Sequence, residues 1–350
     1  MQLFRNRSRT PTPGQPKFLR VTKRWGWQLQ QQLGLVAIAL IFSFSVLVSC
    51  TQVPPPPLRV AVNLWPGYET LYLARSLGYY NNTPIQLVDL PSGTEEIRGF
   101  RNRNVEAAAV SLDQALVLAV TDPQVRIITV MDFSEGGDVI LAKPEISTLQ
   151  ALKGKRVGVE ANALGAYILT RALEQNNLLP QDIQIVSLGI SEQERAFNNG
   201  GVDAVVTFGP VRSKLLSVGA KQLFDSSQIP GEIVDVLVVH GEAIAHDPDA
   251  VQMLVEGRFR ALAYLSQHPQ DAARRIAPRT GVTPEQFLES LRGLRSPNLA
   301  ENQKLLGRVD PALLVSAKRL VQVMMANKLL SKTVDPAPFL DDRWVRKVQL

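Results

Sequence analysis

A spelling that returns after 97 residues limits what this chain can fold into more than any other feature. Arg59-Val60-Ala61-Val62 is echoed by Arg156-Val157-Gly158-Val159, Phe100 by Phe197, and Val105-Glu106-Ala107-Ala108 by Val202-Asp203-Ala204-Val205. Gln86-Leu87-Val88 returns as Gln184-Ile185-Val186, one residue later than the others. Solenoid repeats run about 20–50 residues, so this period is too long for one. It predicts two similar α/β units instead.

Within the first unit, short β-branched runs alternate with helical patterns. Leu58–Asn63, Ile85–Leu90 and Val105–Val110 read as strands; Thr70–Leu77, Thr94–Arg101 and Asp113–Val120 read as helices. Such alternation argues for largely parallel sheets with helices on their faces. Beyond the second unit, Val234–Val239 reads as a strand. A helical tail follows over Pro248–Ser266, Pro269–Ile276, Pro284–Leu294 and Pro311–Leu330, with Asp247 and Asp310 expected as N-caps ahead of proline.

The net charge of +6 over 350 residues belongs to the first segment. Residues 1–49 carry seven basic groups and no acid, which leaves 31 basic and 32 acidic groups in residues 50–350. A balanced body gives no footprint for nucleic acid. There is one cysteine, Cys50, and three histidines, His240, His246 and His268, so disulfide frameworks and cysteine-rich zinc sites are excluded. His240 and His246 have no standard metal spacing. There is no Gly-x-Ser-x-Gly elbow either, so neither a metal, a cofactor nor hydrolytic catalysis is expected.

The basic start leads into an apolar run, Leu33–Val48, of 16 residues, short of the ~20 that span a membrane comfortably. Ser49-Cys50 at its end resembles a bacterial lipobox. Residues 1–49 are therefore expected as a lipoprotein signal peptide and Cys50 as the lipidated residue, with an uncleaved anchor as the alternative. Either places the body outside the cytoplasmic membrane. Pro54 to Pro57 complete a stiff tether over residues 50–57.

In open α/β sheets, ligands sit beyond the carboxyl ends of strands. That rule selects Asn63, Trp65, Gly67, Tyr68 and Glu69 after the first strand, and Glu160, Asn162, Gly165 and Tyr167 after its repeat partner. It also selects Ser111 with Asp113, then Thr207, Phe208 and Pro210, after the third strands. The helix starts at Gly67–Thr70 and Gly165–Tyr167 offer N–H groups to an anion, one from each unit. Trp65 and Tyr68 offer stacking surfaces. The carboxylates Glu69, Asp132, Asp138 and Glu160 disfavour a bare anion. They suit an amino or amidine-like nitrogen, or serve as caps and hinge ion-pair partners, the role expected of Asp138.

Val62-Asn63-Leu64-Trp65-Pro66-Gly67-Tyr68-Glu69, Leu77-Gly78-Tyr79-Tyr80, Asp132-Phe133-Ser134-Glu135-Gly136-Gly137-Asp138 and Leu152-Lys153-Gly154-Lys155-Arg156-Val157-Gly158-Val159 resemble the nitrate/sulfonate/taurine (NMT1/THI5-like) substrate-binding proteins of ABC importers. The resemblance implies a type II periplasmic binding protein: two Rossmann-like α/β lobes joined by two hinge strands, with C-terminal helices. Lobe one would hold residues 58–138 and 236–350, lobe two residues 139–235, with crossings near Asp132–Val139 and Val234–His240. Asp132, Ser134, Gly137 and Asp138 would then line the hinge side of the cleft. The implied role is non-catalytic closure of a monomer on a small anionic solute (a sulfonate, taurine or nitrate), in partnership with a permease and its ATPase. A nitrogenous solute such as a thiamine-pyrimidine precursor, and a sensory receptor, are the alternatives; a pyrimidine synthase is disfavoured by the lack of cysteines.

Overall fold

The computed structural model describes residues 33–34, 56–160 and 163–349. The leader apart from residues 33–34, Cys50 and Asn162 lie outside the described residues, as does the tether up to residue 55. Eleven strands follow in chain order: β1 (Leu58–Val62), β2 (Ile85–Asp89), β3 (Ala107–Ser111), β4 (Val125–Ser134), β5 (Val139–Ala142), β6 (Arg156–Val159), β7 (Gln184–Ser187), β8 (Ala204–Thr207), β9 (Lys221–Asp225), β10 (Val234–His240) and β11 (Leu294–Arg295). They form two sheets, ordered β11-β4-β10-β3-β1-β2 and β7-β6-β8-β5-β9. In the first, β1 pairs in parallel with β2 and β3, while β10 runs antiparallel between β3 and β4. In the second, β6 pairs in parallel with β7 and β8, and β5 runs antiparallel between β8 and β9.

The two sheets are copies at residue level. Val60 faces Ala107 in one and Val157 faces Ala204 in the other, the same 47-residue step. Beside each contact sits the same fork. Arg59 donates its backbone N–H and its guanidinium Nε to Glu106, and Arg156 does the same to Asp203. Each sheet takes its antiparallel strand from across a crossing: β5 enters the second sheet after β4, and β10 returns to the first after β9. The first crossing falls within the expected Asp132–Val139, and the second moves. The chain passes between sheets at residues 135–138 and at 226–233, whereas Val234–His240 is a fully buried central strand.

Six helices cover the repeat: α1 (Glu69–Ser76), α2 (Gly93–Arg101), α3 (Leu112–Thr121), α4 (Ala163–Gln175), α5 (Ile190–Asn198) and α6 (Gly209–Ser217). The tail adds α7 (Gly241–His246), α8 (Pro248–Gln267), α9 (Pro269–Thr280), α10 (Pro284–Leu291), α11 (Leu299–Leu305), α12 (Ala312–Ala326) and α13 (Arg343–Lys347). Asp247 caps α8 through Ala250 N–H, as expected. Asp310 does not cap α12: it sits at φ 45°, and Pro311 occupies the N-cap.

The tail does more than add bulk. Val236 pairs with Val130 and Asp235 with Asp132, so Met131 is an extra residue, a β-bulge in β4. A bulge leaves backbone groups unpaired and re-aims the next side chain. Asn302 of α11 accepts from Val130 N (2.7 Å) and donates to Val130 O (3.1 Å), while buried Arg258 of α8 donates to Met131 O at 2.5 Å.

Candidate functional site

The carboxyl ends of β1, β3, β6 and β8 converge with the first crossing on a narrow cavity of about 20 Å³. Asn63 follows β1. Its side-chain oxygen accepts from Trp65 N–H (2.8 Å), folding the chain back so that Trp65 and Tyr68 turn inward, and its amide donates to buried Glu96 (2.8 Å). The Trp65 ring meets Phe208 of the other lobe edge-on, with centroids 5.3 Å apart. Asn63, Trp65, Tyr68, Ser111, Asp138, Glu160 and Phe208 all line this space. Gly165 and Thr207 line a second chamber of about 20 Å³ that shares Asp138, Glu160, Leu164 and Phe208 with the first.

The remaining selected residues stand elsewhere. Gly67 is packed on the hinge, where an added Cβ would lie 1.8 Å from the Asp132 carboxylate. Gly137 has the same role against the Trp65 ring, at 2.8 Å. Glu69 is fully buried away from the cavity and pairs with Arg279 of α9; burial pushes its pKa up to about 8 despite that partner. Tyr167 donates to Glu232 at 2.6 Å, at the second crossing. Ser134 joins the two crossings: its hydroxyl meets Ser226 (2.8 Å) and accepts from Asp138 N–H (3.1 Å). Pro210 lines an outer groove with Leu64 and Pro66. Asp113 is buried in the first turn of α3. The helix start at Gly67–Thr70 is not open to an anion, because Tyr68 N–H bonds back to Trp65 O (3.0 Å) and Glu69 occupies the first turn.

Asp138 is neither cap nor ion-pair partner. It is 1% exposed, it lines both chambers, and both carboxylate oxygens are buried without a hydrogen-bond partner. Burial raises its pKa to about 7, and the negative charges of Asp132 and Asp113 add to that effect; the nearby Ser134 hydroxyl and the field of Arg212 oppose it. Glu160 spends one oxygen, Oε1, on Thr94 of the opposite lobe.

Sequence reasoning missed Gly93, Gln114, Leu164 and Asp235 among the lining residues. Asp235 left a signal: it is the one charge within the apolar strand Val234–Val239. It stands in register with Ser111 on one side and Asp132 on the other. Tyr68 donates to it at 2.5 Å, and Trp65 Nε1 donates to Asp132 at 3.1 Å. Burial pushes both carboxyls up; the negative charge of Asp132 raises Asp235 further, while hydrogen bonding to Trp65 and Asp235 holds Asp132 lower. No lysine or arginine among the described residues lines either chamber. Among the described residues, too, no cluster of three His, Cys, Asp or Glu could hold a metal ion.

The chain matches the family described as "NMT1/THI5 like" over residues 65–272, more than half of its length. It is 24% identical over 201 residues to a putative aliphatic sulfonates-binding protein of Escherichia coli K12, covering 55% of this chain and 62% of that one. Identity to the taurine-binding periplasmic protein of the same organism is 22% over 211 residues, 57% and 66% of the two lengths. The chain thus spans less than two thirds of either curated relative. The alkanesulfonate-binding protein SsuA of Xanthomonas axonopodis pv. citri, solved bound to MOPS, superposes with a TM-score of 0.70 at 19% identity, over 82% of this chain and 99% of that one. The desulfurization enzyme DszB shares the fold as well, with a TM-score of 0.63 at 18% identity over 83% and 98%. At these identities the structural likeness establishes the two-lobed fold.

Proposed function

The chain belongs to the NMT1/THI5-like family, and on that premise we propose that it is the extracytoplasmic solute-binding component of an ABC importer, taking a small solute that bears a basic nitrogen. The observation that carries the nitrogen is Asp138. A buried ionised carboxylate costs several kcal/mol, and no lysine or arginine among the residues lining the cavity pairs with it. A solute ammonium or amidine-like nitrogen between Asp138 and Glu160 supplies both the charge and the donors.

Closure follows from where the groups sit. Asn63, Trp65 and Tyr68 belong to one lobe, Glu160 and Phe208 to the other, and Asp138 to the crossing. A solute touching all of them favours the closed pair of lobes by its differential affinity. The closed pair is the surface that a permease would recognise. The names of the relatives favour a second reading, an anionic sulfonate. An aminosulfonate such as taurine satisfies both, its ammonium meeting the carboxyls. In this proposal the protein works outside the cytoplasmic membrane, held there by lipid on Cys50, as a monomer and without catalysis.

Thermal unfolding of the full chain against taurine, an aminopyrimidine, an alkanesulfonate and nitrate tests the reading. A solute at a hundred times its Kd adds about 2.7 kcal/mol of stability. Stabilisation by the nitrogen-bearing solutes alone is expected. Stabilisation by nitrate and the plain sulfonate in their place overturns the basic-nitrogen assignment.

A further inference from the structure

Three side chains that wall the cleft from lobe one are each held by a buried carboxyl from a different element. Asn63 Nδ2 donates to Glu96 of α2 at 2.8 Å, Trp65 Nε1 to Asp132 of β4 at 3.1 Å, and the Tyr68 hydroxyl to Asp235 of β10 at 2.5 Å. Glu96 is fully buried and lines neither chamber, so a solute in the cleft does not touch it. Its partner is the one side chain of the three whose two ends have nearly the same shape and opposite chemistry, an amide oxygen that accepts and an NH2 group that donates.

From this arrangement we infer that Glu96 is a positioning residue of the solute site: by accepting from Asn63 it decides which way round that amide stands, and through Asn63 it places Trp65. The inference rests on the reading of the cleft as a solute site and names a residue which that reading did not use. An acceptor oxygen on Glu96 calls for the NH2 end of Asn63. The carbonyl end is thereby turned to Trp65, whose backbone N–H it accepts at 2.8 Å. The reverse setting would put oxygen against oxygen at one contact and N–H against N–H at the other, leaving buried polar groups unpaired. Trp65 leads into the tight turn Pro66–Tyr68, in which Tyr68 N–H bonds back to Trp65 O at 3.0 Å, and its ring meets Phe208 of the other lobe. Burial pushes the Glu96 carboxyl well above the usual range, against the bond from Asn63. A proton does not undo the contact, because Oε1 has no hydrogen-bond partner and can carry it while Oε2 accepts from Asn63. The position therefore needs an acceptor oxygen and not a charge.

The test compares the full chain with three variants: Glu96→Gln, which keeps an acceptor oxygen, and Glu96→Met and Glu96→Leu, which do not. Melting curves establish which of them fold. Amide exchange of Trp65 in the solute-free protein reads the positioning directly, since Asn63 is the acceptor of its N–H. Taurine affinity by calorimetry reads the site. In a folded Met or Leu variant, exchange should be faster and affinity weaker, each by about tenfold or more, and Glu96→Gln should restore both. Adding Asn63→Ala to Glu96→Met should cost no further affinity, because the two changes act through one contact. Trp65 exchange at the wild-type rate in a folded Met or Leu variant overturns the positioning role. So does a Gln variant as impaired as the Met variant. Failure of both Met and Leu variants to fold beside a folded Gln variant also overturns it, by assigning Glu96 to the fold alone. A wild-type chain that binds no taurine overturns the aminosulfonate in the reading above, and Trp65 exchange then decides for Glu96 by itself.

Discussion

Thr94 gives both its backbone N–H and its hydroxyl to one carboxylate oxygen of Glu160, at 2.9 and 2.7 Å, across the cleft between the lobes. The contact joins the first turn of α2, where N–H groups lack helical partners, to the carboxyl end of β6. Glu160 is thus a latch as well as a wall of the cavity.

Hydrogen bonds to a charged group contribute about 1.5–3 kcal/mol. Glu160→Ala should therefore lower the closed fraction of the ligand-free protein at least tenfold. Amide exchange of Thr94 reads this directly, since its N–H has Glu160 as acceptor only while the lobes touch. An exchange rate unchanged in the variant rules the latch out.

The Asp138 carboxyl gives a pH signature. Its pKa in the folded protein, raised to about 7, exceeds the ordinary 3.8. Its contribution to stability is then complete below about pH 4 and is lost as pH rises through about 7. The ligand-free protein should melt at progressively lower temperature across that window. Asp138→Asn reduces this slope, the remainder belonging in part to Glu69, Asp132 and Asp235, whose carboxyls burial also raises; it raises the melting point near pH 8 and weakens a basic solute about a hundredfold or more. If the slope of melting temperature against pH is the same in the variant, another group is responsible.

Two glycines are held by packing alone. Gly67→Ala drives a methyl into the Asp132 carboxylate and Gly137→Ala drives one into the Trp65 ring. Each should cost about 1–3 kcal/mol, by the usual penalty for overfilling a packed site. Gly189→Ala is the control, because its new methyl meets only the flexible end of Glu192 at 3.5 Å. Equal melting temperatures for the three variants would refute the packing role.

Lipid on Cys50 has a simple readout. Intact-mass analysis of the chain produced in a bacterial host should show removal of residues 1–49 and an acylated new N-terminus. The Cys50→Ala variant should lose both changes. A wild-type chain that keeps its leader supports the anchor alternative.

Asn302 offers a test of the bulge. Its amide satisfies both backbone groups of Val130. Asn302→Ala leaves buried donors and acceptors unpaired at about 1–3 kcal/mol each, and it loosens the strand that presents Asp132. A melting point within a degree of wild type would show that β4 needs no such support.

The sequence by itself determined the lobes. Arg59 and Arg156, Glu106 and Asp203, Phe100 and Phe197 stand 97 residues apart because each unit is built from contacts over short stretches of chain. Strand spelling and helix periodicity record those contacts locally. The first-strand loop was legible for the same reason: Asn63, Trp65 and Tyr68 follow β1 directly.

What only the tertiary structure decided is the exchange of β5 and β10 between sheets, the bulge at Met131, and the meeting of Asp235 with Asp132. Also in this class are the isolation of Asp138 and the pairing of Thr94 with Glu160. Each depends on residues far apart in the chain, 66 positions for Thr94 and Glu160, or on the count of one inserted residue in a strand. The same carboxylate spelling serves as a cap, an ion pair or a solitary buried charge. Which of these it becomes is set by the partners that the fold brings within hydrogen-bond reach.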